Sequence, residues 1–141
     1  MDFEEASMFR RSLMALYRRL REEHIGDIPL NEVLALGSID RHGASARPSV
    51  VADDLRMARS NLAALLRRLE SKGLIEVTPD ASDGRRSVIV LTHNGRQHLE
   101  RDRSERELWL VKAVAAELSP QEAEQLMSAA ALMQRVADSH G

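Results

Sequence analysis

Between Arg56 and Gly73 the chain reads RMARSNLAALLRRLESKG. At 100° per residue from Arg59, the side chains of Leu62, Leu65, Leu66 and Leu69 fall within a sector of about 100°. That is a core-facing stripe on a short helix. Ser60, Ala64, Arg67 and Ser71 fall opposite it, with Arg59, Asn61, Ala63 and Arg68 on its flanks. The outward face is therefore small near its N-terminus and basic near its C-terminus. Small side chains let a helix backbone approach a groove floor closely. Ser60 and Asn61 can hydrogen-bond base edges, and the arginines can reach phosphates. A solvated helix face would also carry such arginines, so the neighbouring segments have to be read with it.

Upstream, SVVADDL (Ser49 to Leu55) reads as a shorter helix, and Pro48 suits its first turn. Gly73 stands where a C-cap glycine belongs. Downstream, LIEV (Leu74 to Val77) and VIVL (Val88 to Leu91) read as strands, joined by a loop that contains DASDGRR. Two short helices followed by a hairpin is the order of a winged helix-turn-helix. In the loop, Gly84 is expected to supply a positive φ at the tip. Asp83 lies two residues before Arg85, so its carboxylate is expected to pair with that guanidinium and aim it. Arginine is favoured in narrow minor grooves, where the potential is most negative.

The flanks are helical. Phe9, Leu13, Leu16 and Leu20 recur at helical spacing from Phe3 to about His24, with Tyr17 beside them; Gly26 and Pro29 then break the pattern. A second helix is expected from Leu30 to Asp40, followed by a turn at HGAS, His42 to Ser45. Thr92 is expected to cap a long helix from His93 to Glu117. SPQE (Ser119 to Glu122) is a capping box that opens a last helix to about Asp138. The fold class is mainly α with a small β-hairpin. It divides into a winged helix-turn-helix lobe, about 30–92, and helical arms, about 1–28 and 93–141, within one domain of 141 residues.

Charge is divided in the same way. Residues 41–96 carry ten basic and six acidic side chains, net +4, whereas 1–40 and 97–141 each carry five basic and eight acidic, net −3. The overall charge of −2 hides a basic module between acidic arms. A local basic face is the electrostatic footprint of phosphate binding. The apolar stripes of the arms exceed what a small lobe could cover, which points to burial against a second copy.

Other classes find little support. With no cysteine there are no disulfides and no Cys-based zinc sites. Aromatics at 3% argue against a base-stacking platform for single strands. The five histidines, His24, His42, His93, His98 and His140, show no HExxH or other catalytic spacing, and no metal site is expected. No phosphate-binding glycine loop is present, so the chain is not expected to be an enzyme and no cofactor is implied. Tyr17, Trp109 and the methionines are expected in the core, and no ligand residues are named. The acidic start MDFEEASMF is not a secretory signal and no apolar run spans a membrane, so a cytoplasmic protein is expected. The competing reading is a winged-helix protein-interaction module that does not bind DNA.

LRMARSNLAALLRRLESKGLIEV (Leu55 to Val77) resembles the recognition helix and second strand of the MarR family of bacterial transcriptional regulators. DGRRSVIVLTHNG (Asp83 to Gly95) resembles that family's wing motif, Asp-x-Arg and then an apolar strand ending in Leu-Thr-x-x-Gly. The resemblance implies a homodimer, joined through the terminal helices, that binds a palindromic double-stranded operator. It implies that Ser60, Asn61 and Ala64 read bases in the major groove and that Arg68 contacts the backbone. Arg85 would enter the minor groove, oriented by Asp83. With Arg59, Arg67 and Arg86 these residues form the expected DNA-binding set. The resemblance also implies a small, often phenolic, effector between the arms and the lobe. Four positions depart from the pattern. Arg56 stands where Gly is frequent, Ala58 where Ser is usual, Gly84 where a basic residue is frequent, and Arg86 where a small residue is usual. Arg86 is expected to take over part of the role of the missing basic residue at 84.

Overall fold

The computed structural model describes residues 1–23 and 28–139; the helix break read at Gly26, and His24 and His140, lie outside them. The elements are α1 (Phe3–Glu22), α2 (Leu30–His42), a 3-10 turn (Gly43–Ser45), α3 (Pro48–Leu55), α4 (Arg59–Ser71), β1 (Ile75–Pro79), β2 (Ser87–Leu91), α5 (His93–Glu117) and α6 (Pro120–Ala137). This is the expected order, mainly helical with one antiparallel hairpin.

The core sits in the lobe. The α4 stripe of Leu62, Leu65, Leu66 and Leu69 is buried against Leu36 and Ile39 of α2, Val51 of α3, and Ile75 and Ile89 of the hairpin. Each such side chain contributes about 2 kcal/mol by leaving water. The strands pair from Ile75 with Leu91 to Pro79 with Ser87. On its other side β2 is tied to the turn after α2, where Ile89 N–H donates to the Ala46 carbonyl at 2.8 Å. Buried Glu32 of α2 holds Lys72, the C-cap residue of α4, at 2.8 Å, so the two helices are also joined by charge.

The hairpin is longer than expected, with β1 running on to Pro79 and β2 beginning at Ser87, and two further boundaries differ. α2 runs through His42, because Asp54 of α3 accepts from Ser38, Arg41 and His42 at 2.7, 3.0 and 2.7 Å and so holds the last turn of α2. Ser38 chiefly, then His42 and Arg41, keep the Asp54 carboxyl below its usual pKa. β1 starts at Ile75, not Leu74, because the Leu74 N–H still closes α4 on the Leu69 carbonyl at 3.0 Å. The caps are as expected. Gly73 follows α4 at φ 71°, Thr92 accepts from Gly95 N–H, and Ser119 and Glu122 form the reciprocal box.

The arms bury far less. Neither α1 nor α6 contains a buried residue, and each lies against α5. Contrary to expectation, Tyr17 is not a core residue; it is 45% exposed, as Met8, Met14 and Met127 are also exposed. Trp109 is half-buried, with the Arg19 guanidinium 5.2 Å from its ring centroid.

Lobe and arm meet at Leu91-Thr92-His93-Asn94-Gly95. Thr92 N–H donates to the Leu74 carbonyl and its hydroxyl to the Gly73 carbonyl, at 3.0 and 2.5 Å. Gly95, in the first turn of α5, packs directly on that backbone. A Cβ there would lie 2.0 Å from the Leu74 oxygen. The motif thus welds the end of the wing to the start of the arm, and only glycine fits. Gly95→Ala is expected to destabilise the protein by about 2 kcal/mol or more, because backbone must move. Arg56 presents the opposite case. It occupies the turn between α3 and α4 at φ 51°, a left-handed conformation that favours glycine. Arg56→Gly is expected to stabilise by about 0.5–1 kcal/mol. Thermal unfolding of both variants checks the opposed signs.

Candidate nucleic-acid interface

The outward face of α4 is bare. Arg59, Ser60, Asn61, Arg67 and Arg68 are exposed and Ala64 is half-buried on its shoulder. Ala58 precedes the helix without a side-chain cap, so the first amide groups of α4 keep free hydrogen-bonding capacity. Arg59 and Arg67 share a recess with Pro48, Ala63 and Glu70, bounded by Val77 of β1. Arg59, Arg67, Arg68 and Arg85 have no acidic partner within 4.0 Å among the described residues. Arg41, Arg47, Arg96 and Arg103 do, and they pin the joints of the fold.

The wing departs from the expected construction. Asp83 does not hold the Arg85 side chain. Its Oδ1 accepts the Arg85 backbone N–H at 3.1 Å, and its Oδ2 lies 3.6 Å from Nε of Arg86. Asp83 therefore shapes the turn and neutralises Arg86, while the Arg85 guanidinium projects unpaired from an exposed residue. The i,i+2 spacing places the Asp83 carboxylate over the intervening backbone, where an amide N–H is the nearer donor. Nor does Gly84 use its conformational freedom. Among the described residues only Gly43 and Gly73 are glycines at positive φ, and a Cβ at 84 would meet open space.

Asp80 organises the loop instead, and the sequence reading gave it no role. Its Oδ1 accepts both the N–H and the hydroxyl of Ser82 at 2.9 Å, and its Oδ2 accepts Nη2 of Arg47 at 2.7 Å. Asp80 N–H donates to the Arg86 carbonyl at 2.9 Å and Arg86 N–H to the Asp83 carbonyl at 3.0 Å. The loop is closed at its base and hung from the residue that caps α3. Arg47 first, then Ser82, hold the Asp80 carboxyl far below the usual carboxylate range. The Asp-x-Ser spacing of 80 and 82 marks a local turn. No local pattern reveals a partner as distant in sequence as Arg47.

No group of His, Asp and Glu that could hold a metal ion occurs among the described residues. No described helix is long and apolar enough to cross a membrane.

Comparison with known proteins agrees with this geometry. Residues 26–86 match the MarR family. An uncharacterized HTH-type transcriptional regulator of Bacillus subtilis, YxaD, is 31% identical over 105 residues, 74% of this chain and 71% of that protein. An HTH-type transcriptional regulator of Mycobacterium tuberculosis is 27% identical over 138 residues, 97% of this chain and 95% of its own. A crystal structure of a Pseudomonas aeruginosa protein described as a transcriptional regulator superposes with a TM-score of 0.90 at 39% identity, covering 99% of this chain and 97% of that one. A mutant of S. aureus MepR bound to an oligodeoxyribonucleotide has a TM-score of 0.65 at 25% identity, covering 97% and 100%.

If Asp80 closes the wing, Asp80→Asn is expected to speed amide exchange at Ser82 and Arg86 by about tenfold. The core amides Leu62 to Leu69 are expected to keep their protection. Hydrogen exchange read by NMR checks it.

Proposed function

The chain belongs to the MarR family of DNA-binding transcriptional regulators, and from that premise we propose that it is a ligand-responsive repressor. On this reading it binds a palindromic double-stranded operator as a homodimer. One observation carries the proposal: Arg59, Arg67 and Arg68 of the α4 face and Arg85 of the wing tip have no acidic partner among the described residues, on a basic lobe between acidic arms. A guanidinium with no internal counter-charge can take a phosphate without first breaking an ion pair. The helix face supplies Ser60, Asn61 and Ala64 for base edges in the major groove and Arg59, Arg67 and Arg68 for the backbone. Arg85 is assigned to the minor groove. Asp83 supports it by shaping the turn, and Arg86, already facing Asp83, contributes a weaker contact.

The dimer reading draws on the arms. Phe9, Leu13 and Leu16 of α1, Val111 of α5, and Leu132 and Val136 of α6 are all exposed in the single chain. So much apolar surface on three helices remote from the basic face is what a self-complementary interface requires. Acidic arms also repel DNA, which leaves the lobe as the only electrostatically favourable approach.

The effector reading draws on a cavity of about 300 Å³ where α1, α2 and α5 converge. Tyr17, Leu20, Leu34 and Leu110 give it an apolar wall fit for a flat aromatic body. Tyr17, misread from sequence as core, is better assigned here.

The competing reading, a winged-helix module for a protein partner, predicts no steep dependence on salt. Phosphate contacts predict a linear fall of log K with log salt concentration. For a duplex selected by the protein, Arg85→Ala is expected to weaken binding by about tenfold or more. It should lower the steepness of the salt slope by about 0.9 per arginine removed. The unfolding free energy should stay within about 0.5 kcal/mol. Fluorescence anisotropy across a salt series measures both binding quantities. An unchanged affinity would remove Arg85 from the interface.

A further inference from the structure

The link from α3 to α4 is Arg56-Met57-Ala58, and hydrogen bonds dictate its shape whatever residue stands at 56. Met57 N–H donates to the Ala52 carbonyl at 2.9 Å and Arg56 N–H to the Asp53 carbonyl at 3.2 Å. These are the two bonds of a Schellman motif, which places the residue after the helix in the left-handed region. Arg56 takes that place at φ 51° and ψ 46°. Met57 packs against the buried cluster shared by α3 and α4, so the turn cannot relax by swinging outward. The same two bonds end α4, from Leu74 N–H to the Leu69 carbonyl and from Gly73 N–H to the Glu70 carbonyl, both at 3.0 Å. There the left-handed residue is glycine, at φ 71°. Among the described residues Arg56 is the only non-glycine at positive φ. Glycine and asparagine adopt this conformation with less strain.

Strain of this kind clusters at binding sites. No ion pair inside the fold offsets it here. Arg56 is exposed and has no acidic partner within 4.0 Å among the described residues. Asp53, three residues earlier, does not reach it, and Asp54 is already taken by Ser38, Arg41 and His42. The lobe, residues 30–92, holds eight arginines. Arg41, Arg47 and Arg86 face carboxylates. Arg56 falls with Arg59, Arg67, Arg68 and Arg85, which face none among the described residues.

Its position fits the same group. The turn stands at the N-terminal end of α4, the end that carries Ser60 and Asn61. Three residues of chain separate Arg56 from Arg59, a Cα span of at most about 11 Å. Successive phosphates of one strand rise by about 3.4 Å, so both guanidiniums can address one strand a few nucleotides apart. We infer that Arg56 is a further DNA-backbone contact, an arginine held in a conformation suited to glycine because its charge meets a phosphate. This rests on the DNA-binding reading above and adds a residue that lies outside both the α4 face and the wing. Two consequences follow from the chemistry. Relaxing the turn stabilises the free protein and weakens its complex, so the two effects have opposed signs. A phosphate contact carries no sequence information, so the loss is the same on every duplex.

The test compares the full-length wild type with Arg56→Gly, Arg56→Asn and Arg56→Lys, and with Arg85→Ala as a reference. Thermal unfolding is measured on each, and fluorescence anisotropy follows a selected duplex and an unrelated duplex across a salt series. Arg56→Gly and Arg56→Asn should raise Tm by about 2–4 °C. Both should bind either duplex about fivefold more weakly at ~0.1 M salt, with the salt slope lowered by about 0.9 per arginine removed. Arg56→Lys keeps charge and strain together, so it should keep the wild-type slope and Tm. If the Gly and Asn variants bind both duplexes with wild-type affinity and slope while Arg85→Ala weakens binding, Arg56 is not a contact and the DNA-binding reading stands. A loss in Arg56→Gly that Arg56→Asn does not share would assign the effect to chain flexibility and overturn the inference. A loss confined to the selected duplex would equally exclude a phosphate contact. If the wild type binds neither duplex in a salt-dependent way, the DNA-binding reading falls and this inference with it.

Discussion

The contact of Gly95 with the Leu74 backbone governs the relation between the two halves of the molecule. The chain leaves the wing through β2 and must enter α5 at once, with the first turn of that helix pressed on the start of β1. Thr92 serves both sides of the joint. Its hydroxyl caps α5 by accepting Gly95 N–H and donates to the carbonyl of Gly73 at the end of α4. One residue thus fixes α4, the hairpin and the arm relative to each other. Any force applied along α5 reaches α4 through a few backbone hydrogen bonds, without slack from a linker.

Charge then divides the labour. Four arginines that meet carboxylates lie at the seams: Arg47 under the wing, Arg41 between α2 and α3, Arg96 and Arg103 between α2 and α5. Arg59, Arg67 and Arg68 on the α4 face and Arg85 at the wing tip meet none among the described residues. The same residue type holds the fold in one set and is left for a polyanion in the other. Surface pairs contribute little stability individually, and their value here is geometric: they set angles between elements that a purely apolar core would leave softer.

Local patterns carried most of the fold. The α4 stripe, the caps at Thr92 and Ser119 and the glycine at 73 were legible because each depends on residues within one or two turns of chain. The exposed face of α4 followed from the same periodicity. The wing was legible only as a loop with arginines. Asp83 looked like the partner of Arg85 by spacing, but the backbone amide of Arg85 is closer and Arg86 takes the remaining oxygen. The true anchor of the loop, Arg47 with Asp80, joins positions far apart in sequence, and no periodicity announces such a pair. Tyr17 was misread because an apolar stripe in sequence does not say whether it faces the chain's own core, a cavity or another copy. Arg56 shows the reverse limit: a bulky residue holds a left-handed turn because α3 and α4 on either side are fixed by the core.

On the proposed reading, two copies of this chain read double-stranded DNA with α4 in the major groove and the wing beside it. Selection of bound duplexes from a random pool tests it most directly. The account predicts enrichment of two-fold symmetric sites with half-sites about 10 base pairs apart, centre to centre, or a multiple of that spacing. A pool that returns no enriched sequence, or only an isolated half-site without symmetry, would contradict it.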